Sequence, residues 1–181
     1  MSVSANPNAA LFEELAMPLF DSLYNFAHWL TQNRDEAEDL VQETYVKALK
    51  GFQSFQPGTN FRAWIFRILR NTFLTSRTGL AASRTVPLDS EADEPVAAVT
   101  IETPESLLIS RASEERLQDA IEALPVIFRE VILLGDVEEM SYQEIAETLS
   151  IPIGTVMSRL SRARRSLRQA LGDKAEEAKH G

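Results

Sequence analysis

The stretch of sequence that decides the fold is residues 141–167, SYQEIAETLSIPIGTVMSRLSRARRSL. Ser141 followed by Glu144 is the S-x-x-E pattern of a capping box, which predicts that a short helix begins there. Residues 150–152 predict a turn, because Pro152 suits the first turn of a following helix. We therefore expect a short helix, a tight turn and a longer helix.

The second of these helices has two different faces. Its apolar residues recur at spacings of four, three and four, which predicts one buried stripe of Val156, Leu160, Ala163 and Leu167. The opposite face carries hydroxyl and guanidinium groups, on Thr155, Ser158, Arg159, Arg162 and Arg165. A helix with this face suits the reading of bases in the DNA major groove. An ordinary helical hairpin with a solvated arginine face has the same spacing and remains an alternative.

Charge is distributed in blocks along the 181-residue chain, whose net charge is -9. Residues 44–88 carry seven bases and no acid, and residues 157–171 carry five arginines and no acid. Two such blocks in an acidic chain indicate two separate contacts with a polyanion, while the acidic surfaces are repelled from it. Chance clustering of solvated charge is the alternative, and it is weak for an acid-free block of that length in a chain with 27 acids.

Composition excludes several classes of site. The chain has no cysteine, so disulfides and thiolate metal sites are excluded. Its two histidines are His28, expected to be a partly buried packing residue, and His180 in a polar tail. We find no membrane-length apolar run and no signal pattern, so a cytoplasmic protein is expected. No nucleophile–base pair, phosphate-cradling glycine loop or metal-ligand cluster is visible, so we expect no enzyme activity, no cofactor and no metal.

The first half of the chain predicts three helices. A helical pattern that begins at Leu11 is interrupted by Pro18, which predicts a kink or a fresh helix start. Asn33 is expected to cap the second helix, whose first turns are rich in acids. The apolar stripe of that helix comprises Ala37, Leu40, Val41, Tyr45, Ala48, Leu49 and Phe52.

The outward face of the second helix is acidic. It carries Asp35, Glu38, Asp39, Gln42, Glu43 and Val46. We interpret this face as a negatively charged docking surface for a protein partner. Metal binding within a helical bundle is the alternative, but the chain lacks the Glu-x-x-His partner that such a site uses.

The third helix and the loop before it combine cations with aromatic rings. Pro57-Gly58 marks the turn in loop 53–60, and Thr59 or Asn60 is expected to cap the helix. The predicted core side is Phe61, Trp64, Ile65, Ile68 and Leu69, and the polar and basic positions are Arg62, Arg67, Arg70, Asn71 and Arg77. Three further aromatics, Phe55, Phe66 and Phe73, exceed a single stripe. Rings among cations suit single-strand binding, but Phe66 and Phe73 are better explained as core residues.

These patterns predict an all-α chain with two small helical domains joined by a flexible linker, the second ending in a helix-turn-helix. The expected first domain spans residues 8–77, the linker 78–103, the second domain 104–171 and a polar tail 172–181. The second domain is expected to begin near residues 103–105, and another helix near Pro125 is expected to end near Gly135.

Three segments together resemble a bacterial RNA polymerase sigma factor of the extracytoplasmic-function (ECF) type. They are DEAEDLVQETYVKAL at residues 35–49, FRAWIFRILRN at 61–71, and LPVIFREVILLGDVEEM followed by the helix-turn-helix at 124–167. The last segment in this setting is highly specific, whereas a helix-turn-helix alone is not. The order of the segments also agrees with the two-domain layout of that family.

The resemblance implies a role for each surface. The acidic helix would dock on the coiled coil of the polymerase's largest subunit through Asp35, Glu38, Asp39, Leu40, Gln42 and Glu43. The basic third helix would open and read the minus-10 element with Phe55, Asn60, Arg62, Arg67 and Asn71. Within that set, Phe55, Arg67 and Asn71 would line a pocket for a flipped base. Helix-turn-helix residues 142–165 would read the minus-35 element through Thr155, Ser158, Arg159, Arg162 and Arg165.

The resemblance also implies partners: core RNA polymerase, promoter DNA and an anti-sigma factor that masks the docking and promoter faces. It implies that the acidic linker threads toward the RNA path of the polymerase. Met157 and Ser161 depart from the side chains common in the family, so the promoter sequence is not carried over. A sigma-like decoy that sequesters an anti-sigma factor, and a stand-alone DNA-binding regulator, are the competing hypotheses.

Overall fold

The computed structural model of the chain describes residues 6–78 and 114–179, which form helices and turns without a strand. The helices are α1 (Pro7–Ala16), α2 (Phe20–Thr31), α3 (Arg34–Gly51), α4 (Phe61–Thr78), α5 (Glu114–Glu122), α6 (Val126–Ile132), α7 (Tyr142–Leu149) and α8 (Ile153–Lys179). The chain divides into two compact units, the first containing α1 to α4 and the second most of the remaining helices. The prediction of an all-α protein with two small helical domains is confirmed. Beyond Thr78, the predicted linker and the helix start at 103–105 lie outside the described residues.

The first unit begins with the interruption that Pro18 predicts. A 3-10 turn, Met17–Leu19, separates α1 from α2, because proline has no N–H for the helical ladder. Helix α2 ends at Gln32, which adopts left-handed φ of 54° while its N–H donates to the carbonyl of His28. His28 itself is exposed and stacks against Tyr24, so the expectation that it packs partly buried is wrong.

Helix α3 is capped as the sequence predicts. The side chain of Asn33 accepts a hydrogen bond from the N–H of Glu36 at 3.0 Å. Ala37, Val41 and Ala48 are buried, which confirms the main stripe, but Leu49 is 51% exposed and lies outside it. The Leu49 prediction is wrong because the buried stripe runs through Thr44, Ala48 and Phe52, at spacings of four that leave Leu49 on the solvent side.

An aromatic cluster closes the loop between α3 and α4. The ring centroid of Phe55 lies 5.8 Å from that of Phe52, 5.3 Å from Phe61 and 5.2 Å from Trp64. Gly58 takes φ of 89° in the turn, a conformation that side chains with a Cβ avoid. The aromatic contacts give this loop a small apolar core of its own.

Helix α4 supplies the centre of the first core. Ile65, Phe66 and Leu69 are completely buried, and Phe73 is 4% exposed. Phe66 and Phe73 are therefore core residues, as expected. Arg70 is also buried, so a position that the sequence places on the basic face belongs to the interior.

The second unit is assembled around α8, against which α5 and α6 pack. Arg129 of α6 is 8% exposed, and its guanidinium donates to the carbonyls of Ile121, Glu122 and Leu124. The bonds to Ile121 and Glu122 meet carbonyl groups at the end of α5, and the bond to Leu124 lies just beyond it. Burial lowers the pKa of Arg129, while Glu122 acts in the opposite direction. This arginine, one of the few bases in the acidic part of the chain, is therefore structural.

A π-helical turn, Leu133–Val137, leads from α6 toward the helix-turn-helix. Gly135 lies in this turn, where an added Cβ would approach the Leu160 side chain to 3.3 Å and that of Ile145 to 3.4 Å. The close approach allows the turn to pack on both helices of the helix-turn-helix. The expectation that this helix ends near Gly135 is met, because the α-helical part ends at Ile132 and passes into a π-helical turn that contains Gly135.

The helix-turn-helix forms as its sequence predicts. The capping box is reciprocal: the N–H of Ser141 donates to Glu144 Oε2 at 2.7 Å, and the N–H of Glu144 donates to Ser141 Oγ at 3.2 Å. Ser150 in the turn has left-handed φ of 55°. The predicted stripe on α8 is buried throughout, at Val156, Leu160, Ala163 and Leu167. No helix in the described residues has the length and apolar character needed to cross a membrane.

Candidate docking and nucleic-acid surfaces

The acidic face of α3 is open to solvent. Asp35, Glu38, Asp39, Gln42 and Glu43 are all exposed. Leu40, which the resemblance places in the same docking set, is only 6% exposed and packs beneath this face. Leu40 therefore belongs to the buried stripe, as its spacing predicts, and its part in docking stays a prediction.

Three carboxylates on or beside this face are already paired. Glu38 lies 3.2 Å from Nε of Arg34, Glu43 lies 3.0 Å from Nζ of Lys47, and Glu36 lies 2.8 Å from Nη2 of Arg77. These are exposed pairs, and such pairs contribute little to stability and exchange partners readily. Within the part of the chain that the structure describes, Asp35 and Asp39 form no salt bridge. Asp35 and Asp39 are thus exposed carboxylates without a salt-bridged cation in the described chain.

Beside the acidic face lies an open groove of about 440 Å³ between α2 and α3. Its lining is Phe20, Tyr24, Arg34, Glu38, Val41 and Gln42. Phe20 is 45% exposed and stacks between Tyr24 and Tyr45, with ring centroids 6.5 and 6.2 Å away. The spacing patterns predicted no groove here, although Phe20 and Tyr24, four residues apart on α2, are a signal for it.

Tyr45 anchors the same region from inside. Its hydroxyl donates to the carbonyl of Ala16 at 2.7 Å, which ties α3 to the end of α1. Burial, with Asp21 nearby, raises the pKa of Tyr45, so the hydroxyl keeps its proton and its bond at neutral pH. The wall of the groove is therefore fixed before any partner arrives.

On α4 the structure separates the candidate nucleic-acid residues into two groups. Arg67 is partly exposed and Asn71 is exposed, and the two lie one turn apart on one face. Asn60 instead caps the helix, since its Oδ1 accepts from the N–H of Ala63 at 3.0 Å. Arg62 is partly buried, with its guanidinium carbon 6.0 Å from the centre of the Phe66 ring. Arg67 and Asn71 are the open members of the set.

Phe55 is 8% exposed within the aromatic cluster described above. It is therefore buried rather than open to a base, which differs from the role that the resemblance implies. A base can stack on this ring only if the loop around it releases the ring from Phe61 and Trp64. Arg77 of the first basic block forms an exposed ion pair with Glu36, and its guanidinium lies over the ring of Phe73.

The outward face of α8 keeps its cations open. Thr155, Ser158, Arg159 and Arg162 are partly exposed and Arg165 is exposed. Among the described residues, none of these three arginines forms a salt bridge. Ser158 Oγ donates to the Thr155 carbonyl at 3.1 Å, which directs the hydroxyl along its own helix. Met157 is 43% exposed on the adjoining surface and offers an apolar contact. A face of this kind fits a polyanionic groove.

Within the described residues, no group of three or more histidine, aspartate or glutamate side chains is arranged to hold a metal ion. The acidic face of α3 is thus a row of separate carboxylates along one helix. Its geometry suits pairing with cations on a protein surface.

Comparison with known proteins gives the same order of segments along the chain. The family described as "Sigma-70 region 2" matches residues 15–81, and the family described as "Sigma-70, region 4" matches residues 114–167. The first match contains the acidic face, the groove and α4. The second contains the helix-turn-helix and the open arginine face of α8.

Several curated proteins are similar over most of the chain. An ECF RNA polymerase sigma factor, SigE of Mycolicibacterium smegmatis, is 36% identical over 92% of this chain, which spans 63% of the length of that relative. Another, EcfG of Rhodopseudomonas palustris, is 36% identical over 83% of this chain and 86% of its own length. A third, SigW of Bacillus subtilis, is 32% identical over 84% of each chain.

Two solved structures share the fold. The sigma factor RpoE of Bartonella quintana, in complex with the anti-sigma factor NepR, has a TM-score of 0.67 and 31% identity, covering 89% of this chain and 96% of that one. CnrH in complex with the cytosolic domain of CnrY has a TM-score of 0.65 and 27% identity, covering 94% of this chain and 92% of that one. By these segments, surfaces and likenesses, the chain belongs to the ECF family of RNA polymerase sigma factors.

Proposed function

We propose that this protein binds core RNA polymerase in the cytoplasm, directs it to specific promoters and helps to open the minus-10 region. The observation that carries the proposal is that three separate surfaces remain open: the acidic face of α3, the Arg67–Asn71 face of α4 and the arginine face of α8. The chemistry of RNA synthesis would belong to the polymerase, and this protein would supply specificity.

The docking contact would use the acidic face of α3 together with the groove beside it. Asp35 and Asp39 would meet cations of the largest polymerase subunit, while an apolar side chain of the same partner would enter the groove beside Phe20, Tyr24 and Val41. Such a contact combines an electrostatic approach with an apolar anchor, and each makes a different contribution to binding. Residues 8–77 are proposed as the polymerase-docking and minus-10 domain.

DNA would be read at two places. Arg67 and Asn71 would contact the unpaired minus-10 strand, and Arg159 and Arg162 would contact base edges of the minus-35 element in the major groove. Residues 104–171 are proposed as the minus-35 domain. Because both basic faces are retained and open, a DNA-binding sigma factor is favoured over a decoy, which has no need of them.

The test is run-off transcription on a promoter library with purified core RNA polymerase, with and without this protein. We expect a defined subset of promoters to be transcribed only when the protein is present. A matched control is a variant with Arg159, Arg162 and Arg165 all replaced by glutamine, which removes the open cations of α8 without touching its buried stripe. If the wild-type protein gives no promoter-dependent transcript while still binding core polymerase, the decoy becomes the better description.

We also propose that an anti-sigma factor holds this protein inactive, by likeness to RpoE, whose solved structure contains the anti-sigma factor NepR. The exposed α3 face and the groove suit an inhibitor that competes with core polymerase. The expected result of a competition assay is that occupancy of these surfaces by the inhibitor excludes core polymerase.

A further inference from the structure

One arginine of the second basic block is not available to DNA. Nη2 of Arg164 lies 2.6 Å from Oδ1 of Asp136, and its Nε lies 3.2 Å from Oδ2, so both oxygens of the carboxylate are engaged. The side chains are only 19% and 17% exposed. A two-pronged guanidinium–carboxylate pair fixes direction as well as distance. In this respect Arg164 differs from Arg159, Arg162 and Arg165, which form no salt bridge in the described part of the chain.

The pair lies where three elements of the second unit meet. Asp136 belongs to the π-helical turn Leu133–Val137 and directly follows Gly135, whose closest neighbours are Leu160 and Ile145. Arg164 follows Leu160 by four residues and so lies on the same side of α8. The turn therefore holds α8 at two points one helical turn apart, by apolar contact at Leu160 and by the ion pair at Arg164.

Asp136 favours the charged form of Arg164. Hydrogen bonding to Asp136 raises the pKa of Arg164, burial lowers it, and Asp136 and Tyr142 further raise it. Arg164 therefore remains protonated at neutral pH. A hydrophobic contact alone permits a helix to roll, whereas two directed hydrogen bonds at a second point oppose that rotation.

We propose that Arg164 is a positioning residue, which through Asp136 fixes the roll of α8 so that Arg159 and Arg162 enter the major groove in register. The inference rests on the proposed promoter-reading function. With side chains, a helix is about 10–12 Å across, so a roll of about 10° moves the tip of a side chain by about 1 Å. That displacement is enough to break a bidentate contact with a base, for which donor and acceptor must stay within a few tenths of an ångström.

The test uses holoenzyme assembled from core RNA polymerase and each sigma variant. The probes are a promoter found in the library and the same DNA with its upstream element scrambled, each measured over a range of salt concentrations. The variants are Arg164→Lys, Arg164→Gln and Asp136→Asn. Arg164→Lys keeps the positive charge but removes the bidentate geometry of the guanidinium group. Arg168→Gln is the matched control, since it removes an exposed cation of α8 outside the residues assigned to reading DNA and leaves the pair intact.

We expect Arg164→Lys and Asp136→Asn each to reduce the ratio of promoter to scrambled affinity by about tenfold, within the range of coupling found for contacting pairs. Arg164→Gln is expected to leave the salt dependence on scrambled DNA unchanged. If Arg164 instead contacts a phosphate, this variant lowers the slope of log K against log salt by about 0.9, and the proposal is overturned. It is also overturned if Arg164→Lys leaves the affinity ratio unchanged.

Circular dichroism at the assay temperature establishes that each variant is folded. If Arg164→Gln unfolds, Arg164→Lys, the mildest change, still tests the affinity ratio. The experiment separates failure of the proposed function from failure of the positioning role of Arg164. If wild-type holoenzyme does not distinguish the promoter from its scrambled form, the proposed function fails. If wild type distinguishes them and the charge-retaining variant does so equally well, the positioning role alone fails.

Discussion

At the scale of single residues, the arginines of the two basic blocks divide by what surrounds them. Arg70 is buried and Arg164 is held by Asp136, whereas Arg77 forms an exposed pair with Glu36. Arg67 and Arg162 have part of their surface open and form no salt bridge among the described residues. Charge counted along a sequence therefore overstates the number of cations available to DNA.

Arg162→Ala tests the base-reading role of α8. If this arginine contacts a base edge, we expect its loss to reduce promoter discrimination by about 1–3 kcal/mol, because a bidentate base contact is worth that much against the wrong base. Holoenzyme affinity for the cognate promoter and for one with a scrambled upstream element gives the measurement. Equal weakening on both DNAs would assign Arg162 to the phosphate backbone instead.

Asp39→Lys tests the docking face. The side chain is exposed and forms no salt bridge within the described chain, so we expect the fold to survive while binding to core polymerase falls at least tenfold. Co-purification with core polymerase, and its salt dependence, give the readout. Glu13→Lys is a matched control, since it makes the same charge change at an exposed position of α1. Core binding retained by the Asp39 variant would remove this face from the interface.

At the scale of elements, two local features of the helix-turn-helix change its stability in opposite directions. Ser141 caps α7 through its hydroxyl, while Ser150 occupies a left-handed conformation that glycine adopts more easily. The cap stabilises the first helix of the motif, and the turn costs free energy that a different residue would relieve. Stability and turn geometry are thus set by separate residues.

Ser141→Ala is expected to lower the free energy of unfolding by about 1 kcal/mol, because the N–H of Glu144 loses its acceptor. Ser150→Gly is expected to raise it by up to about 1 kcal/mol, since the strain of the left-handed residue is removed. Chemical denaturation followed by circular dichroism measures both. A change of the same sign in the two variants would contradict this account of the motif.

Periodicity and caps predicted the elements that depend on neighbours in sequence. The capping box at Ser141, the cap at Asn33 and the buried stripe of α8 all follow from spacing, and each is present. Contacts between residues that are far apart in the sequence could not be predicted in this way. Arg164 reaches Asp136 across 28 positions, and the spacing of charges along α8 gives no sign of that pair.

The candidate site shows the same division. The exposure of the acidic residues on α3 follows from the helical period, whereas the burial of Leu40 and Phe55 depends on how α3 and its loop pack. The groove formed by Phe20, Tyr24 and Val41 requires two helices to lie side by side, which one-dimensional patterns do not specify. Helical spacing thus predicts which residues of α3 are exposed, whereas the packing around Leu40 and Phe55 depends on contacts between elements.

At the scale of the whole molecule, the two faces proposed to contact DNA belong to different compact units. In the proposed function each unit meets a different promoter element, so the free energies of the two contacts are expected to add. We expect Arg67→Ala combined with Arg162→Ala to weaken holoenzyme binding by the sum of the single effects, within about 0.5 kcal/mol. A coupling energy well above that value, measured in a double-mutant cycle, would show that both residues serve one contact.

The burial of Phe55 against Trp64 has a practical consequence. Because the two ring centres are 5.2 Å apart, any event that draws Phe55 toward an unstacked base must change the surroundings of the indole. With the second indole removed by Trp29→Phe, the emission of Trp64 becomes an intrinsic fluorescent reporter of the loop. Promoter opening by the holoenzyme could then be followed by stopped-flow against the tryptophan background of the core enzyme, with Phe55→Leu as the silent reference.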